Sequence, residues 1–304
     1  MAQIGLMFEG QWGLTWGRWR RLLDAAEALG YQSVFRSDHF TIGSPEREAL
    51  ETWTSLSYAA DRTHRIEFGP LVSPSTFRHP SVVAWMAAAV DDLSGGRLVL
   101  GLGAGWNEQE HRQFGVPFYD KATRFEMLED SLEITNRLLH NDSPVSYHGK
   151  HFSLDNAILL PRPQRPGGPP ILIGGNGKKK TLPLAARYAD EWNGVFLTPK
   201  GYQEHVQLLD ELLAQNGREP RSLKRSLMNQ VVIGANDADL RQKLESDPVM
   251  EGDKRIIGTP SAVVDQIGRY VDAGCERFML QRLDMDDMDG IELIAARVLP
   301  HFHK

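Results

Sequence analysis

Ser81-Val-Val-Ala-Trp-Met-Ala-Ala-Ala-Val-Asp-Asp-Leu-Ser-Gly-Gly-Arg-Leu-Val-Leu-Gly-Leu-Gly-Ala-Gly-Trp106 carries the pattern on which the fold turns. Its first half, residues 81–93, follows Pro80, which suits a first helical turn because its missing N–H has no intrahelical partner there. Apolar side chains run through it, and Gly95-Gly96 closes it. Arg97 then opens an apolar run of strand length, residues 97–102, with glycines at 101, 103 and 105. Helix, glycine turn, buried strand and glycine-rich exit make one repeat of an alternating α/β chain.

The repeat recurs on both sides. Apolar runs fall at residues 4–8, 33–36, 66–72, 97–102, 171–173, 192–196, 227–233 and 277–280, with helical patterns at 16–29, 52–60, 81–93, 125–139, 179–188, 202–213, 237–244 and 291–299. Strands separated by helices pair in parallel. Eight of them predict closure into a (β/α)8 TIM barrel rather than an open sheet. The first strand-to-helix turn has no Gly-x-Gly-x-x-Gly pattern, so nothing supports a Rossmann dinucleotide site. Residues 145–154 read as an inserted hairpin turning at Gly149-Lys150, followed by the connector Pro161-Arg-Pro-Gln-Arg-Pro-Gly-Gly-Pro-Pro170. A linker to a second domain would read similarly, but alternation resumes at Ile171. One domain over residues 1–304 is expected.

Composition narrows the function classes. Of 304 residues, 41% are apolar and 24% charged, the balance of a soluble globular protein. A net charge of −6 argues against a nucleic-acid partner, which needs a clustered basic surface. Cys275 is the only cysteine, which excludes an intramolecular disulfide and a cysteine metal cage and fits a reducing cytoplasm. The apolar start is too short for a signal peptide, and no stretch reaches the ~18 apolar residues of a membrane helix. A cytoplasmic protein is expected, with a small-molecule substrate.

Barrel active sites lie at the carboxyl ends of the strands. Asp38-His39 follows the second run, where a histidine can exchange a proton near a redox ring or simply bond to its own loop. The third run ends in a segment with prolines at 70, 74 and 80, which breaks regular strand pairing. After the fourth run, the glycines at 101, 103 and 105 let backbone approach a ligand, and Trp106 offers a flat wall. The fifth run ends in Gly174-Gly-Asn-Gly-Lys-Lys-Lys180 at a helix start, a place for an anion. Cations there oppose the helix dipole, so an anionic ligand accounts for them better than a solvated basic turn. Glu108, Glu110 and His111 are of metal-ligating type, but glutamates two apart do not share a helix face. No metal site is expected, and the acidic stretch 284–289 lacks the glycine and terminal glutamate of a calcium loop.

Together these residues resemble the luciferase-like oxidoreductases. The likeness rests on Asp38-His39-Phe40, Gly69-Pro-Leu-Val72 running to Arg78-His79-Pro80, Asp91-Asp-Leu-Ser-Gly-Gly-Arg97, Gly101-Leu-Gly-Ala-Gly-Trp106, Ile173-Gly-Gly-Asn-Gly177, Ala185-Ala-Arg-Tyr-Ala-Asp-Glu-Trp-Asn193 and Gly258-Thr-Pro260. It is nearest to the branch that uses the deazaflavin coenzyme F420. The resemblance implies a barrel, a homodimer, and a flavin-type ring at the carboxyl face. It implies His39 and Asp38 as catalytic, with His39 at the ring's reactive edge. It implies cofactor contacts at Leu71, Val72, Ser73, Gly105, Trp106, Asn107, Gly174, Gly175, Asn176, Gly177 and Lys178, with Val72 behind the ring on a cis Leu71–Val72 peptide bond. Lys179 joins Lys178 as a partner for the acidic tail of F420, and Trp12, Trp53 and Trp106 are candidates to wall the pocket. One departure stands out: Trp106 occupies the place where the F420-dependent glucose-6-phosphate dehydrogenases carry an acidic glutamate, with Glu108 two residues on. Sugar-phosphate oxidation is therefore not implied. Two rivals share these motifs: an FMN-dependent two-component monooxygenase, and a flavin-binding protein without turnover.

Overall fold

The computed structural model describes residues 2–246 and 254–302. In chain order the strands are β1 (Gln3–Phe8), β2 (Ser33–Arg36), β3 (Glu67–Pro70), β4 (Ser73–Pro74), β5 (Leu100–Gly103), β6 (Val145–His148), β7 (Ser153–Ala157), β8 (Ile171–Gly174), β9 (Glu191–Val195), β10 (Lys224–Ile233), β11 (Ile256–Gly258) and β12 (Arg277–Arg282). The helices are α1 (Trp16–Ala28), α2 (Thr52–Arg62), α3 (Pro80–Leu93), α4 (Glu108–Gln113), α5 (Lys121–His140), α6 (Thr181–Tyr188), α7 (Pro199–Gln215), α8 (Asp237–Ser246), α9 (Pro260–Asp272) and α10 (Met288–Arg297). None is long and apolar enough to cross a membrane.

The strands close into the expected ring. β1 pairs with β2, and β2 with β3. β4 continues the same pass of chain and pairs with β5, which leads through β8, β9, β10 and β12 back to β1, parallel throughout. The third strand is thus split into β3 and β4 at Leu71 and Val72. The Leu71–Val72 peptide is cis, as the resemblance implied. Across that split the Val99 N–H donates to Phe68 O at 2.8 Å, holding β3 against the lead-in to β5.

Side-chain alternation sorts each strand into two faces. On β1, Ile4, Leu6 and Phe8 pack outward among the helices, while Met7 points into the barrel with Phe35, Val99, Leu172, Met228 and Met279. On β12 the inward series is Arg277, Met279 and Gln281. Arg277 is buried at the amino end, where it pairs with Glu67 and with Glu191 at 3.1 Å and donates to Gln3 at 2.9 Å. Burial raises the Glu191 carboxyl pKa, against the pull of Arg277 and Lys224. The barrel therefore has an ionic floor, an apolar middle and a polar mouth.

Three features depart from expectation. The fourth strand begins at Leu100 rather than Arg97, because the Arg97 side chain turns away to Thr63 and to the Ala60 and Ile66 carbonyls. α4 has no apolar stripe to betray it. α9 was not among the expected helices, although it buries Val263, Ile267 and Tyr270 at i, i+4 and i+7 after Pro260, a pattern legible in the sequence. The hairpin forms as β6 and β7, paired antiparallel.

Candidate active site

A cavity of about 850 Å³ opens at the carboxyl ends of the strands. Its two sides differ in chemistry. Around β4, β5 and β8 the lining is Leu71, Val72, Gly103, Gly105, Gly174 and Gly175; around β12, β1 and β2 it is Gln281, Glu9, Gln11, Ser37 and His39. Trp12, Trp106, Phe125 and Leu283 add apolar surface, and Lys121 and Arg124 add cations.

The bare side exists because glycines make room for Val72. A Cβ on Gly103 would lie 2.4 Å from Val72 Cγ2, and one on Gly101 or Gly174 would lie 3.0 or 3.1 Å from Cγ1. Gly101 does not line the cavity, where it was expected: a Cβ there would lie 2.0 Å from Pro70 O, whereas Gly103 both makes room for Val72 and lines the cavity beside it. Gly175 has φ +121°, a backbone region that side chains rarely enter, so glycine is required at that turn.

On the polar side, His39 Nδ1 lies 2.7 Å from Glu110 Oε1, and the Phe40 N–H donates to Glu110 Oε2 at 3.0 Å. Both carboxylate oxygens accept, so Nδ1 carries the hydrogen, while Nε2 has no partner among the described residues. Burial works to lower the His39 pKa, but the Glu110 hydrogen bond and charge, with Glu9 and Asp38 adding to them, outweigh it and hold the pKa above the ordinary value. Trp106 meets the imidazole edge to face at 5.6 Å between centroids.

Several contacts place Glu110. Asn107 caps α4 by accepting from the Gln109 N–H. Phe40 stacks between Phe77 at 4.4 Å and Phe114 at 4.9 Å. The buried His111 donates from Nδ1 to Asn107 O at 2.7 Å and bonds through Nε2 to Thr76 at 2.7 Å.

Not every expected residue reaches the cavity. Asp38 and Ser73 are outside the cavity lining: Ser73 donates to Asp38 at 2.7 Å and Arg78 at 2.6 Å, contacts that brace the third strand. Asn176 clasps Val195 through both ends of its amide. Gly177 packs on Thr181, where a Cβ would lie 2.7 Å from Oγ1. Lys178, Lys179 and Lys180 are exposed ahead of α6 rather than within it, and Lys178 lies 3.7 Å from Glu204. Trp53 is buried in the core, whereas Trp12 and Trp106 do line the cavity. The expected Leu71, Val72, Gly105, Asn107, Gly174 and Gly175 line it as well.

Sequence reasoning passed over Glu9, Gln11, Gln281, Lys121, Arg124 and Thr181. Glu9 and Gln281 end the first and eighth runs, so the carboxyl-end rule applied there would have found them. Glu110 was weighed only as a metal ligand.

Comparisons with known proteins agree with this architecture. The family model for luciferase-like monooxygenases matches residues 6–255. An F420-dependent glucose-6-phosphate dehydrogenase from Intrasporangium calvum is 28% identical, covering 92% of this chain and 94% of its own. A 4-hydroxyprotoasukamycin monooxygenase from Streptomyces nodosus subsp. asukaensis is 26% identical over 96% of this chain and 88% of its own. Among solved structures, an F420-dependent secondary alcohol dehydrogenase in complex with an F420–acetone adduct superposes with a TM-score of 0.86 at 20% identity, covering 100% of this chain and 99% of that one.

Proposed function

We propose that this chain, which belongs to the luciferase-like monooxygenase family, is an F420-dependent oxidoreductase that moves a hydride between the deazaflavin and a small organic substrate. The observation that carries this reading is a single cavity with a bare glycine-and-Val72 wall on one side and the His39–Glu110 pair on the other. The cavity is large enough for a flat cofactor with a substrate against it. F420, when bound, supplies a two-electron hydride carrier. Val72 and Leu71 would back its ring, and Gly174, Gly175 and Thr181 at the start of α6 would hold its phosphate. Lys121 and Arg124 would meet its acidic tail. His39 Nε2 would give a proton to the substrate oxygen or take one from it, while Glu110 holds the imidazole by Nδ1. Trp106 and Trp12 would keep water from the reacting atoms.

The likeness to a monooxygenase favours a second reading, FMN-dependent oxygenation. Titrating the purified protein with F420 and with FMN, each followed by fluorescence, separates the two. F420 should bind at least ~10-fold more tightly, and tighter binding of FMN would overturn the first reading. We also assign the outer face of α3 to a second copy of this chain. Val82, Trp85 and Leu93 are 50%, 54% and 55% exposed and fall, with Ala89, within about 80° of one another around the helix. An apolar stripe of this kind marks a covered surface.

A further inference from the structure

We infer that Glu9 selects the substrate of this site: an alcohol or carbonyl compound with no anionic group and with a second hydrogen-bond donor, a hydroxyl or an amine, beside the reacting carbon. The inference rests on the hydride-transfer reading above.

Strand alternation turns Glu9 inward at the end of β1, one step above Met7. Gln11 Nε2 donates to its Oε2 at 2.8 Å and Gln281 Nε2 to its Oε1 at 2.5 Å. Among the described residues no lysine or arginine forms an ion pair with it. Two neutral amides therefore hold the carboxylate in place, and its oxygens keep lone pairs beyond these bonds. The rest of this network also ends in acceptors. Gln11 Oε1 is taken by Ser37 Oγ at 2.5 Å, and Ser37 Oγ accepts from the Gly10 N–H at 2.9 Å. Gln281 Oε1 is buried with no hydrogen-bond partner among the described residues and is closed to solvent, so Glu9 is the group that presents acceptor oxygens to a ligand. A carboxylate held only by amides keeps acceptor capacity, and a donor on the ligand can meet it at the cavity.

His39 Nε2 is the complementary group, since Nδ1 is already given to Glu110. The oxygen on the substrate's reacting carbon pairs with Nε2, and the neighbouring donor pairs with Glu9. In the oxidising direction the substrate's C–H electron pair leaves as hydride to F420 and its hydroxyl proton goes to Nε2, which leaves a carbonyl. Reduction is the reverse, with Nε2 returning the proton. A phosphate or carboxylate in the same place would face Glu9 where screening by water is weak, a repulsion that selects against it. The cations lining the cavity, Lys121 and Arg124, lie on α5 beside the glycine wall and belong to the cofactor's acidic part.

The test uses the full chain loaded with F420, its affinity fixed first by fluorescence titration. Failure to bind F420 would overturn the proposed function itself and is seen at that step. The loaded protein is then given matched pairs differing by one anionic group: glucose and its phosphate ester, glycerol and its phosphate ester, propanediol and lactate. Dihydroxyacetone and its phosphate are compared with the reduced cofactor. Binding is read by saturation-transfer NMR and turnover by deazaflavin absorbance. Neutral members should exceed their anionic partners in kcat/KM by at least ~10-fold. Glu9→Gln should narrow that ratio at unchanged F420 affinity. Anionic partners used as well or better, an unchanged ratio in Glu9→Gln, or no binding of any neutral member would overturn the inference.

Discussion

Glu110 reaches His39 across 71 positions of chain and accepts from both its imidazole and the next backbone amide. The arrangement fixes which nitrogen faces the cavity, much as a buried acid orients the histidine of a hydrolase triad. His39→Ala should lower turnover by roughly 10²–10⁴-fold at unchanged cofactor occupancy. Glu110→Gln should cost at least ~10-fold, because an amide can donate to Nδ1 and favour the wrong tautomer. The His39 pKa, followed by imidazole NMR, should fall in Glu110→Gln. The sign for stability follows: a histidine whose folded pKa is raised contributes fully below its unfolded value near ~6.5 and loses that contribution as pH rises through the folded value. The variant should therefore be most destabilised, by denaturant midpoint, at acidic pH. A pKa unmoved by the substitution would remove Glu110 from this role.

At the scale of elements, the loop from β8 to α6 divides between residues that face the cavity and residues that hold the loop. Gly175 belongs to the first group and Asn176 to the second, although they adjoin in sequence. Gly175→Val forces a side chain into a φ of +121° at the mouth and should weaken F420 binding by more than ~10-fold. Lys178→Ala should change that affinity by less than ~3-fold and lose even this at high salt, since Lys178 is exposed and lies near Glu204. Titrations of both variants over a range of salt check the contrast. Equal losses would return the lysines to the site. The helix was expected from Lys179; α6 starts at Thr181 with Lys180 as its N-cap, so the lysines stand at the helix entry but are exposed and outside the cavity lining.

At the scale of the whole molecule, α3 presents one face to the barrel and an apolar stripe outward. Trp85→Glu should convert a dimer into monomers, read as a halved mass by light scattering, with the thermal transition retained. A wild-type mass of one chain would refute the assembly. The barrel itself was legible in the sequence, because strand and helix periodicity, helix-ending glycines and proline starts are local signals that survive in any tertiary setting. For the same reason the carboxyl-end rule pointed to His39, Gly105 and Gly174, while Val72 came from the family resemblance. What the sequence could not decide is which distant groups meet once the ring closes. Whether His39 pairs with Asp38 next to it or with Glu110, whether Val72 packs over Gly101 and Gly103, and whether Glu9 and Gln281 touch all depend on how the strands come together. That arrangement is set by parallel strands brought together across loops and helices, where no local pattern records the partner.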